Sequence, residues 1–250
     1  MQPLPAIESL RAKIRLIEAG EKRISGVLPF GVAEMDARLP GGGLAMGALH
    51  EVAGGGAGAV HGAAAALFAA GIAARAGGPT LWCLARQDLF APALSQAGLP
   101  PKRIVYAEAG NEDGVLACFE EGLRHSGLSA VVAEVSRLSL TNSRRLQLAA
   151  ESAGTIGITI RRWRRQADAV DFGQATVAAT RWRVTALPQP PSKVPGMERA
   201  RWQLELIRCR GGGSADFEME GCDAQGYLCL PADMADRQAG ADTGRERAVS

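Results

Sequence analysis

The stretch Glu51-Val52-Ala53-Gly54-Gly55-Gly56-Ala57-Gly58-Ala59-Val60-His61 constrains this chain more than any other. It reads as the end of a strand, a glycine loop, and then an alanine-rich helix over about 62–76. A strand, glycine loop and helix in that order can cradle phosphate, because backbone N–H groups in the loop and at the helix start converge on an anion. Phosphate chemistry also needs a Lys to reach the β/γ-phosphates and a Ser or Thr hydroxyl for Mg²⁺. With Gly54 as the first glycine, the Lys position falls on Val60 and the hydroxyl position on His61. Sliding the register to Gly55 or Gly56, or relying on Gly58, does not help, since residues 53–75 contain no Lys, Ser or Thr. The loop has the outline of a phosphate site without its chemistry. A glycine-rich turn with no ligand reads equally well.

Hydrophobic periodicity organises the rest. Ile7, Leu10, Ile14 and Ile17 recur at helical spacing within 6–22, so residues 1–25 are predicted to hold an amphipathic helix. Residues 26–47 are loop and turn, broken by Pro29, Pro40 and Gly41–Gly43. Strands are predicted over 48–53, 80–84, 103–107, 129–135 and 156–161, with helices over 62–76, 89–97, 112–125 and 141–153, the last capped by Thr141 or Asn142. Strands alternating with helices imply an α/β fold with a parallel sheet. After residue 161 the pattern changes: 175–186 and 200–210 alternate like antiparallel strands around a Pro-rich connection, and 218–220 with 227–230 suggest a short hairpin. Residues 26–231 thus form one core, and 232–250 lack the apolar bulk to fold.

The flanks of the loop carry a resemblance. Ile24-Ser25-Gly26, Met35-Asp36, Gly42-Gly43-Leu44 and the strand running into the loop resemble the entry segment of the RecA family. The strands at 81–84, 104–106 and up to Val135 continue it. The resemblance implies a RecA-like, mostly parallel sheet flanked by helices, with antiparallel strands toward the C-terminus. It puts Glu134 at the Walker B carboxylate, and Arg86 near the place of the glutamate that activates water, where an arginine cannot act as a base. The run from Leu138 through Arg144, Arg145 and Glu151, with 154–161 and 201–212, resembles the ImuA family, RecA-like accessory proteins of bacterial mutagenic DNA repair related to the division inhibitor SulA. That resemblance implies a non-catalytic adaptor without a cofactor, acting in SOS-induced, error-prone translesion synthesis. The implied partners are ImuB (an inactive Y-family polymerase homologue), an error-prone DnaE-type polymerase, and RecA or its filament on single-stranded DNA. A RecA-type DNA-dependent ATPase with an atypical loop and a SulA-like division inhibitor remain the alternatives.

Charge and clustering give the candidate contacts. The net charge of +2 hides an asymmetry: residues 214–250 hold eight acidic and three basic side chains, a net of −5, leaving +7 on residues 1–213. Such a body suits nucleic acid or an acidic partner surface. Arg161-Arg162-Trp163-Arg164-Arg165 is the densest basic cluster. Arg neutralises phosphate and Trp stacks on bases, so the cluster is a candidate single-strand contact. Trp182 and Trp202, inside strand patterns, read as core. Arg144 and Arg145 are candidates for phosphate or a partner carboxylate, with a salt bridge to an acid such as Glu151 as the plainer role. The five cysteines include no C-x-x-C pair and fit reduced thiols in a cytoplasmic protein. The longest apolar run, 63–74, is too short to span a bilayer, and the three scattered histidines form neither a triad nor a metal pattern.

Overall fold

The computed structural model describes residues 26–56, 58–163, 172–189 and 199–231. The expected N-terminal helix, the 232–250 tail, and the central parts of the basic and Pro-rich connections lie outside the described residues. A two-stranded antiparallel ribbon, β1 (Val27–Leu28) with β2 (Leu44–Ala45), precedes an eight-stranded sheet. Its strands are β3 (Leu49–Gly54), β4 (Thr80–Leu84), β5 (Ile104–Glu108), β6 (Ala130–Val135), β7 (Ile156–Arg161), β8 (Thr180–Leu187), β9 (Arg201–Cys209) and β10 (Ala215–Glu220). They lie in the order β10-β9-β8-β3-β7-β6-β4-β5. Pairing is parallel from β8 through β5 and antiparallel from β8 to β10. The expected hairpin at 218–220 and 227–230 is instead β10 on β9, with a single bridge from Glu220 to Cys229.

Helix α1 (Ala33–Asp36) is a single turn. Helices α2 (Ala59–Arg75) and α3 (Ala91–Gln96) cover one face of the sheet, and α4 (Glu112–Arg124) and α5 (Leu140–Ala153) the other. Helices on both faces explain why β3, β6 and β7 are buried at every residue. Ten of the seventeen residues of α2 are buried, and seven of those ten are alanines. Small side chains let the helix sit close to the strands, and alanine favours the helix itself. Helix α5 begins one residue earlier than expected: Ser139 is the N-cap and accepts from the Asn142 N–H at 3.1 Å, and Gly154 at φ 72° ends the helix.

The core on the α2 face centres on Trp182, which meets Phe30 and Phe68 with ring centroids 5.5 and 5.6 Å apart. Trp182 and Trp202 are buried, as their strand patterns predict. The segment after β10 straps across α2. Gly71 and Gly98 are needed there, because a Cβ on either would overlap Cys222 or the backbone at Gly226. Arg75 fastens the strap: its Nε donates to Gly226 O at 3.1 Å, Nη1 donates to Pro29 O, and the guanidinium lies over the Phe30 and Tyr227 rings at 4.8 and 5.8 Å.

Two polar groups on β3 lie inside this apolar frame. His50 Nδ1 pairs with Thr180 Oγ1 at 2.7 Å, and Nε2 pairs with Ala45 O at 2.9 Å. Because a carbonyl can only accept, the ring carries its proton on Nε2, and Nδ1 accepts from the Thr180 hydroxyl. Burial lowers the His50 pKa to about 4. Glu51 faces the other way, between Arg161 on β7 and Arg181 on β8, at 3.2 and 3.3 Å, and also accepts from the Thr176 hydroxyl.

Candidate functional site at the strand ends

The glycine loop connects β3 to α2 at the C-terminal ends of the parallel strands, where ligands bind in open α/β sheets. Helix α2 starts at Ala59, three residues before the expected Gly62, so Val60 and His61 sit in its first turn. Neighbouring chain accounts for the glycines. The Gly55 N–H donates to Val184 O at 2.8 Å, and a Cβ on Gly55 would overlap the Thr185 side chain. A Cβ on Gly54 would lie 2.9 Å from the His61 backbone, and one on Gly56 would lie 3.2 Å from the His61 ring. Gly58, the N-cap, has φ 112°, which favours glycine.

The residues present do not fit a metal-bound nucleotide. Val60, at the Lys position, is a 67% exposed valine. His61, at the hydroxyl position, is engaged: its Nδ1 accepts from the Ala186 N–H at 3.2 Å and ties the helix start to β8. Glu134, at the end of β6, is occupied on both oxygens. Oε1 accepts from Trp82 Nε1 at 2.9 Å, and Oε2 is ion-paired with Arg162 Nη1. Arg162 also reaches Asp88, Nη1 to Oδ1 at 2.8 Å and Nη2 to Oδ2 at 3.1 Å. Burial alone would lower the Arg162 pKa, but hydrogen bonds and charge from Asp88 and Glu134 more than offset it, and the net shift is upward. Arg86 is exposed just beyond β4. Among the described residues no group of three or more His, Cys, Asp or Glu side chains could hold a metal ion. Burial pushes the Cys83 and Cys222 thiols up to about 12, so neither is a nucleophile at neutral pH.

The structure separates members of the basic cluster that the sequence treats alike. Arg161 is not a surface contact. Its side chain is 0% exposed, bound to Glu51 and, through Nη2, to Ser136 O at 2.8 Å. The alternation that sends Ile156, Ile158 and Ile160 to the α2 face sends Arg161 to the other. Arg162 is the next residue and lies at the surface. Trp163 is half-buried, with Nε1 donating to Ser136 O at 3.2 Å and its ring edge-on to Phe172, centroids 5.6 Å apart. Arg164 and Arg165 lie outside the described residues. Arg145 pairs with Glu120 of α4 at 2.6 Å rather than with Glu151, which accepts from Gln147 instead. Arg144 is exposed on α5.

Sequence reasoning missed the buried set around Glu51. The available signal was a carboxylate in a strand buried on both faces, with arginines on the strands that flank it. Two clefts of about 490 Å³ each open beside Arg162. One reaches Arg86, Asn111 and Ser136; the other reaches the loop glycines, Ala63 and Phe90. Asp88, Arg162 and Trp163 line both, so the Arg162 ion pairs form the wall between them. No helix among the described residues is long and apolar enough to cross a membrane.

No family model matches the chain. Among solved structures, the crystal structure of the RadB recombinase is similar with a TM-score of 0.56 at 16% identity, over 82% of this chain and 99% of that one. The likeness bears out the expected RecA-like fold: a mostly parallel sheet between helices, with antiparallel strands toward the C-terminus. The chain is also 36% identical over 242 residues to Protein ImuA of Caulobacter vibrioides, from strain NA1000 / CB15N and from strain ATCC 19089 / CIP 103742 / CB 15. These matches cover 92% of this chain and 99% of each relative. With that identity sustained over nearly all of both proteins, the chain belongs to the ImuA family.

Proposed function

We propose that the protein is a non-catalytic, RecA-like adaptor in SOS-induced, error-prone translesion DNA synthesis. It links an ImuB-type Y-family polymerase homologue and an error-prone DnaE-type polymerase to RecA or to single-stranded DNA. Family membership supports the setting. The observation that supports an adaptor over an ATPase is Arg162, whose guanidinium occupies the Glu134 carboxylate that would otherwise serve a metal-bound nucleotide. With Val60 and His61 at the Lys and hydroxyl positions, no residue of the loop compensates charge on a transferred phosphate. The proposed nucleic-acid contact uses the basic cluster from Arg162 and Trp163 through Arg164 and Arg165.

The test is binding of a fluorescent single-stranded oligonucleotide across a salt series, with and without ATP. Salt-sensitive binding that ignores ATP and weakens when Arg164 and Arg165 are neutralised is the expected result, since phosphate contacts release counterions. ATP-dependent binding, or ATP turnover abolished by changes in the loop, would overturn the adaptor reading. Absence of oligonucleotide binding would remove the direct DNA contact from it.

A further inference from the structure

Resting on that reading, we propose that Arg162 is a built-in cation. It fills the position between Asp88 and Glu134 that an exchangeable divalent ion would take, and it clamps the strand ends in one arrangement regardless of nucleotide.

Three observations carry this. First, a single nitrogen, Arg162 Nη1, bonds both carboxylates, Asp88 Oδ1 at 2.8 Å and Glu134 Oε2. The two acids therefore converge on one point and are bridged there by positive charge. Second, Glu134 is held in place independently of Arg162, because Trp82 Nε1 donates to its other oxygen and the carboxylate is only 5% exposed. Taking the guanidinium away leaves a buried carboxylate without its counter-charge, at high cost. Third, the bridge joins separate elements: Asp88 follows β4, Glu134 is the penultimate residue of β6, and Arg162 follows β7. A divalent ion could leave with a nucleotide, but a guanidinium on the chain cannot. The two clefts on either side stay divided, and Trp163 and Ser136 stay in register beside them.

A neutral side chain at 162 should empty the position without removing the acids. Manganese binding to wild type, Arg162→Gln, Arg162→Lys and Arg162→Gln/Glu134→Gln can be followed by electron paramagnetic resonance. The expected result is one Mn²⁺ on Arg162→Gln, bound at least tenfold more tightly than by wild type, and lost again in the double variant. Arg162→Lys, which keeps a cation, should behave as wild type. If Arg162→Gln fails to fold alone, millimolar Mn²⁺ should restore its folding, read by circular dichroism. Specific Mn²⁺ binding by wild type that Glu134→Gln abolishes would overturn the proposal. So would a folded Arg162→Gln that gains no Mn²⁺, or an unfolded one that Mn²⁺ does not rescue. The experiment involves neither DNA nor ATP, so its failure is distinct from failure of the adaptor reading.

Discussion

Thr185 of β8 fills the space in which a side chain on Gly55 would lie. The glycine in the phosphate-like loop is thus required by a strand 130 residues further along, whatever the loop binds. Gly55→Ala should destabilise the protein by about 1–3 kcal/mol, the usual cost of forcing atoms into a packed position. Thr185→Gly in the same background should recover most of that. Urea unfolding of the two single variants and the double variant reads the coupling.

Glu51 compensates two buried arginines, Arg161 and Arg181. Glu51→Gln keeps its shape but leaves two guanidinium groups without their counter-charge, so it should cost about 3–5 kcal/mol. Arg144→Ala, on an exposed helix face, should lie within about 0.5 kcal/mol of wild type in the same unfolding assay.

His50 makes stability depend on pH. Its folded pKa of about 4 lies below the ordinary 6.5, so between those values the unfolded chain binds a proton that the folded chain refuses. Its contribution is fully present above pH 6.5 and is lost as pH falls toward 4. That interval corresponds to ~3 kcal/mol at most. Stability measured by urea unfolding from pH 7 to pH 4 should fall, and His50→Gln should flatten that slope.

Arg75 holds the strap after β10 to α2 and to Pro29. Arg75→Gln should destabilise by about 1–3 kcal/mol through the lost hydrogen bonds and ring contacts. It should also speed proteolytic cleavage within 221–231, seen by limited proteolysis and mass spectrometry. Arg75→Lys should not rescue fully, since an ammonium cannot reproduce the planar fork.

The parallel half of the sheet was legible because strands buried on both faces are mostly apolar, and 80–84 and 156–161 match the predicted limits. The glycine loop was legible as a strand-to-helix turn, but the reason for its glycines was not, since Thr185 and His61 act on it through tertiary packing. The basic cluster was only half legible. Period-2 alternation in β7 already assigns Arg161 to the face opposite Ile160, yet composition alone groups it with Arg162. The partner of Arg145 was not legible: Glu151 is six residues on, outside the three- or four-residue spacing at which helix side chains meet, and Glu120 comes from the neighbouring helix, which only the fold brings near.

The tie between His61 and Ala186 has a consequence for descent. A lineage that gained phosphate-loop chemistry here would need a lysine at 60, a hydroxyl at 61 and the departure of the guanidinium at 162. Replacing His61 first forfeits the bond that anchors α2 to β8, and removing Arg162 first strands the Glu134 carboxylate. Each early step is penalised before the later ones can take effect, so point substitutions taken singly are disfavoured, and the loop is held in its present form by the interactions around it.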